Sequence, residues 1–216
     1  MVDGDEAQDL IEPLISGLAE DPLWSTFLER LLRRARADYA SIVFRPLPFG
    51  PERNRVVHLY AGQASPPGVS QLYHDILHAI DPLPYQDMVE GRVYRLGELL
   101  VSGDPAHQAY FDRFLVPSGM KVLRMLRVAA PSGVSAWLTI SRREDPFDEA
   151  TEALLAGLAP YFRAALTAHV AQERERISAR VASEAIRRMN FGWLTLDREG
   201  RILDADPNGA RLLAGP

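Results

Sequence analysis

The 216-residue chain has no cysteine. That excludes disulfides, thiolate metal sites, cysteine nucleophiles and any flavin or bilin held through a thiol. No apolar run approaches the length of about 20 residues needed to cross a bilayer. The opening "MVDGDEAQDLIEPL" is acidic and has no apolar signal core. Basic residues are outnumbered: 24 Lys and Arg stand against 29 Asp and Glu, a net charge of -5. A dominant nucleic-acid surface would carry the opposite sign. No low-complexity tract, internal repeat, Gly-rich phosphate cradle or nucleophile-elbow serine occurs in the sequence. These absences lead to the expectation of a soluble, cytoplasmic, non-enzymatic protein with no membrane attachment and no resident cofactor.

What is present is an ordinary globular composition, 47% hydrophobic and 25% charged. "DLIEPLISGLAEDPLWSTFLERLLRRARAD" predicts two helices split at Asp21-Pro22, with Asp21 as cap. Trp24, Phe27, Leu28, Leu31 and Leu32 form the apolar face of the second. "YASIVFRPL" and "RVVHLYAG" flank the turn-forming "PFGPERN" and predict a hairpin. Residues 68–83 predict a helix ended by Asp81-Pro82, and 91–100 a short strand running into a turn or short helix. Asp104 and Pro105 begin a further helix that Pro117 and Gly119 close. A second hairpin, 120–131 with 134–143, turns at Ser132-Gly133. In its second strand Val134, Ala136, Leu138 and Ile140 alternate with Ser135, Trp137, Thr139 and Ser141, the period-two pattern of a half-buried strand. Together these predict an α+β fold, an antiparallel sheet with flanking helices.

From 147 to 190 the pattern is helical, with a break or kink expected at Pro160. Asp148 and Glu149 suit its N-terminus better than an acid/base pair with Asp145. Beyond Pro160 the helix is strongly charged, with a sparse stripe at Val170, Ile177, Val181 and Ala185. That stripe predicts a connector paired across a homodimer. His74 and His78 have the i,i+4 spacing of metal ligands, but the glutamate of the zinc-hydrolase motif is missing. They are assigned to the surface or to a pocket lining, and no metal is expected. Tyr73, Tyr85, Tyr110, Phe111 and Phe114 fall between the two hairpins. They are either core or the wall of a small-molecule pocket, with Met125 and Trp137 as its floor and Asp81 as a further pocket candidate.

The runs "YHDILHAIDPL", "GRVYRLGELL", "YFDRFLVPSGM" and "WLTISRREDPFDEATEALLAGLAPYFRAAL" resemble the N-terminal region of bacterial LuxR-type regulators. In that group a GAF-like sensory region precedes a PAS-like segment and a helix-turn-helix. "FGWLTLDREGRILDADPNGARLLAG" likewise resembles the start of a PAS domain. The resemblance implies a GAF-like sensory domain over 1–146, a connector over 147–190 and a PAS fragment over 191–216. It also implies a non-catalytic input module for a small effector, with DNA contacted only through a C-terminal domain absent from this sequence. Tyr73 and Asp81-Pro82 resemble positions of acyl-homoserine lactone receptors, the alternative reading alongside a ligand-free dimerisation module. Val69 stands where those receptors carry a tryptophan, and the Tyr73–Asp81 spacing is one residue short.

Overall fold

Both faces of the central sheet are covered, and that sets where a site can lie. The computed structural model describes residues 4–44, 56–62, 82–188 and 192–214. The chain forms two compact units, Met1–Val170 and Ala171–Pro216. The first begins with helices α1 (Gly4–Ser16) and α2 (Ser25–Arg34), then strands β1 (Tyr39–Phe44) and β2 (Val57–Gly62). Strand β3 (Val93–Arg95) leads into the one-turn helix α3 (Leu96–Leu99), and α4 (Pro105–Tyr110) passes into a π-type turn at Phe111–Leu115. Strands β4 (Val122–Ala129) and β5 (Ser135–Arg142) precede α5 (Glu149–Arg188). The sheet order is β2-β1-β5-β4-β3, with every neighbouring pair antiparallel. The predicted α+β architecture is the one observed.

Side-chain alternation divides the core in two. On one face Ala40, Ile42, Phe44, Leu126, Leu138 and Ile140 join Trp24, Phe27 and Leu31 from α2 and Leu155, Leu158 and Phe162 from α5. On the other face Leu123, Met125 and Trp137 join a cluster supplied by residues 83–120. Strand β5 is therefore buried on both sides except at its ends. The half-buried strand expected from its alternation is corrected: its polar positions face a second core, not solvent.

Two further expectations change. Asp21 does not cap α2; Trp24 precedes the helix in a left-handed conformation, φ 57°, with no side-chain cap of its own. Glu20 takes that part, its Oε2 accepting from Thr26 N and Ser25 Oγ, each at 2.9 Å. Nor does α5 break at Pro160, which lies inside a continuous helix. An interior proline costs a helix about 3 kcal/mol. Here it is exposed, while Leu155, Leu158 and Phe162 are fully buried around it. Each such side chain gains about 1.5–3 kcal/mol by burial, so packing outweighs the missing hydrogen bond.

The predicted caps at Asp104 and Asp148 are present. Asp104 Oδ1 accepts from Ala106 N at 2.7 Å and His107 N at 3.3 Å. Asp104→Ala is expected to destabilise the unit by about 1 kcal/mol, read as a lower urea midpoint at constant slope. Asp148 Oδ1 accepts from Thr151 N at 2.8 Å and Thr151 Oγ1 at 2.6 Å, which holds its carboxyl below the usual range. One turn into α5, Glu152 takes Arg95 Nε and Nη2 at 2.8 and 2.9 Å and Arg124 Nε at 2.6 Å. Arg124 is buried, 8% exposed at the side chain, with its guanidinium 5.6 Å from the Phe147 ring.

The second unit carries the hairpin β6 (Leu194–Leu196) and β7 (Ile202–Ala205), then helix α6 (Pro207–Leu213). Asp206 starts the helix: its Oδ1 accepts from Gly209 N and, across the hairpin, from Trp193 N, each at 2.8 Å. A Cβ on Gly192 would lie 2.6 Å from Gly209 N, so the close approach admits no side chain there. Leu196, Ile202 and Leu203 are exposed. The turn between β1 and β2 and most of the helix expected over 68–83 lie outside the described residues.

Candidate functional site

The sheet face turned away from α5 carries a patch of hydroxyls at its centre. Tyr39 is paired with Ser141, and Ser41 with Thr139, on adjacent rungs of the β1–β5 ladder. Directly opposed side chains stand about 5 Å apart and successive like-facing positions about 7 Å, so the roots of the four side chains mark out a rectangle of that size. All four are buried. Strand sterics put them there: Ser41 and Thr139 occupy the odd positions of strands whose even positions, Ala40, Ile42, Leu138 and Ile140, fill the opposite core.

Each hydroxyl has a distinct setting. Tyr39 Oη is 2.7 Å from His58 Nε2 on β2, and its ring stacks on Tyr60 at 6.0 Å. Burial pushes the Tyr39 hydroxyl up to about 12, against a smaller opposing effect of a hydrogen bond with Ser41. It is therefore a neutral phenol across the physiological range. Ser141 is 0% exposed and its Oγ has no hydrogen-bond partner among the described residues. A buried hydroxyl left without a partner costs about 1–3 kcal/mol, and native structures contain few of them.

The rest of the face is apolar and aromatic. Leu123 and Met125 border the patch on β4, opposite Ser141 and Thr139. Trp137, one rung on, meets the Tyr85 ring edge-on at 5.5 Å and donates from Nε1 to Tyr85 O at 3.3 Å. Arg127 faces Trp137 across the ladder; its Nη1 donates to Met88 O at 2.9 Å and its Nη2 to Ser135 Oγ at 3.0 Å. Tyr110 and Phe114 pack together, ring centroids 5.3 Å apart, in the same cluster.

Of the aromatic and Met candidates, Tyr110, Phe114, Met125 and Trp137 share this cluster, and Tyr85 and Phe111 pack on it half-buried. Tyr73, His74, His78 and Asp81 lie outside the described residues. In α5, Val170 is 5% exposed and belongs to the main core, Ile177 is half-buried, and Val181 and Ala185 are exposed. Sequence reasoning passed over Ser41, Thr139, Ser141 and Tyr39. The signal available was four hydroxyl-bearing residues at like-facing positions of two predicted strands, which normally marks a solvent face.

A separate groove of about 1080 Å³ runs beside the start of α5, lined by four arginines and four carboxylates. Its groups serve the fold: Arg142 donates to Arg36 O, Ala35 O and Pro146 O, while Asp38 Oδ2 accepts from Arg143 N. No three His, Asp or Glu side chains converge as a metal site among the described residues.

No protein-family model matches the chain, and no curated protein sequence does. Solved structures do. The ligand-binding domain of VqsR from Pseudomonas aeruginosa superposes with a TM-score of 0.56 at 17% identity, covering 77% of this chain and 98% of that one. Residues 1–171 of Escherichia coli SdiA give 0.51 at 19%, covering 76% and 98%. The N-acylhomoserine lactone dependent LuxR family transcription factor CepR2 from Burkholderia cenocepacia gives 0.50 at 15%, covering 76% and 96%. At these identities the likeness is one of fold: the chain shares the architecture of ligand-binding domains from LuxR-type regulators.

Proposed function

We propose that the chain is a non-catalytic, ligand-sensing regulatory module, a GAF-like input domain of a LuxR-type regulator. A small effector occupies the sheet face over the Tyr39–Ser41–Thr139–Ser141 patch, with its apolar body against Met125, Leu123 and the 83–120 cluster. The carrying observation is Ser141 Oγ, wholly buried and without a partner among the described residues, in a patch of like groups. A ligand oxygen or nitrogen there satisfies it. The shared fold supports the reading.

The division into a sensory domain over 1–146, a connector over 147–190 and a PAS-like start over 191–216 belongs to the same reading. So does pairing of two copies along Ile177, Val181 and Ala185, with DNA reached through a further domain. The deciding experiment is mass spectrometry of protein purified under native conditions, which should show a small molecule retained by the chain. Thermal-shift measurements with long-chain N-acylhomoserine lactones separate the lactone reading, which predicts stabilisation, from an effector of another class. Ser141→Ala should leave the ligand-free unit as stable or up to about 1 kcal/mol more stable, because an unpaired buried hydroxyl is removed. The same change should weaken effector capture about tenfold, the value of one hydrogen bond. Lower ligand-free stability with unchanged capture would count against the assignment.

A further inference from the structure

The segment from Leu83 to Leu99 touches both the candidate site and α5. On the site side, Leu83, Met88, Tyr94, Leu96 and Leu99 are buried in its cluster. Two polar contacts pin the segment there, Trp137 Nε1 to Tyr85 O at 3.3 Å and Arg127 Nη1 to Met88 O at 2.9 Å, and Val89 N donates to Tyr94 Oη at 2.8 Å within the segment itself. The chain then rounds the β3 edge of the sheet. There Glu90 Oε1 accepts from Ala129 N at 3.1 Å and lies 3.4 Å from Arg163 Nε on α5. Gly91 sits against the same helix, since a Cβ placed on it would be 3.9 Å from Ala159 Cβ. Arg95 grips Glu152 through two nitrogens.

The three α5 residues reached, Glu152, Ala159 and Arg163, are spaced i, i+7, i+11, which is one stripe of a helix. Residues 83–92 carry no helix or strand; regular structure in the segment is confined to β3 and the single turn of α3. Hydrogen bonds to irregular backbone hold an element that moves more readily than the sheet beneath it.

We infer that residues 83–99 are a strap that carries the state of the site face to α5 around the sheet edge, with Trp137 and Arg127 as its latch and Glu90 and Glu152 as its ties. This rests on the reading of that face as the effector site and specifies its regulation. A ligand that displaces Tyr85 or Met88 pulls on Glu90 and Arg95, and those residues turn or release the first half of α5. The core opposite need not rearrange. The two ties differ in weight. Glu90–Arg163 is long and exposed, and such pairs contribute little. Glu152 carries the coupling because its partners include the buried Arg124 and a two-nitrogen contact from Arg95.

The test is a double-mutant cycle read by hydrogen exchange on the chain without ligand, so it stands apart from whether an effector is found. Trp137→Phe removes the donor to Tyr85 O, and Arg127→Met, made separately, removes the donor to Met88 O. Either should speed exchange at strap amides 85–91 and at α5 amides 150–165, the latter by about fivefold or more, with β1 and β5 amides unchanged. In a Glu90→Gln, Glu152→Gln background the same latch changes should speed the strap but leave α5 within about twofold of that background. Equal acceleration of α5 with and without the ties overturns the proposal, because coupling then runs through the core. So does a faster strap with an unmoved α5, or a strap that neither latch variant loosens.

Discussion

Trp24→Ala is expected to lower the stability of the first unit by about 3–5 kcal/mol. Trp24 is 0% exposed and holds three elements together. Its ring meets Phe44 on β1 at 6.1 Å and Phe162 on α5 at 5.9 Å, both edge-on, and His169 lies 5.8 Å away. Its Nε1 donates to Leu14 O at 2.9 Å, closing the C-terminal end of α1 over α2. Alanine therefore leaves a cavity and an unpaired carbonyl together, and it also retains the left-handed backbone at φ 57°. Trp24→Phe separates the two losses: it keeps most of the packing and should cost about 1–2 kcal/mol. Urea unfolding followed by far-UV circular dichroism measures both; near-equal costs for the two variants would assign the stability to the hydrogen bond, not the ring.

Glu152→Ala is the second large effect, about 2–4 kcal/mol. The loss is asymmetric. Exposed Arg95 regains water, whereas buried Arg124 is left charged beside the Phe147 ring with no carboxylate. Truncating one partner of a buried pair is costly for that reason, while replacing the whole pair with apolar residues often is not. The double variant Arg124→Met, Glu152→Leu should accordingly recover most of the stability, which a simple loss of packing at 152 would not allow. The Glu152 carboxyl is also held below its ordinary value of 4.5, first by the hydrogen bonds from Arg95 and then by Arg124, against an opposing effect of burial. A lowered folded-state value means the carboxylate stabilises the fold fully above the ordinary value. That contribution disappears as pH falls from there through the folded-state value. The acid limb of the stability curve should be flatter in Glu152→Ala than in the native chain.

Local chemistry was legible in the sequence, and long-range pairing was not. Ser132-Gly133 marked the β4–β5 hairpin, and Gly133 takes the left-handed φ of 87° that its turn requires. Asp104 and Asp148 were readable as caps because a capping carboxylate acts within three residues of itself. Asp21 misled because Glu20, one residue earlier, reaches Thr26 from outside the usual capping position. The alternation along β5 identified its two faces correctly, yet alternation alone does not tell whether the polar face is covered. The covering comes from residues 83–120, up to about fifty positions away. The hydroxyl patch was hidden for the same cause: Ser41 and Thr139 become neighbours only when β1 pairs with β5. Of the expected pocket residues, the aromatics at 85, 110, 114 and 137 lie in or against one hydrophobic cluster on this face. The partners that give that face its chemistry were not legible in the sequence.

The central pairing also has a consequence for how the chain is made. Tyr39 lies against Ser141 and Phe44 against Ala136, so the two middle strands are separated by about a hundred residues of sequence. At about 5–20 residues per second, a ribosome needs roughly 5–20 seconds to synthesise that interval. Throughout it β1 has no β5 to close its inner edge, and Ile42 and Phe44 lack the α5 side chains that bury them. An unpaired apolar strand edge is the feature most prone to joining the wrong chain. The module's yield in a cell should therefore depend on what shelters its first 44 residues during translation, and slower elongation between β1 and β5 should lower it.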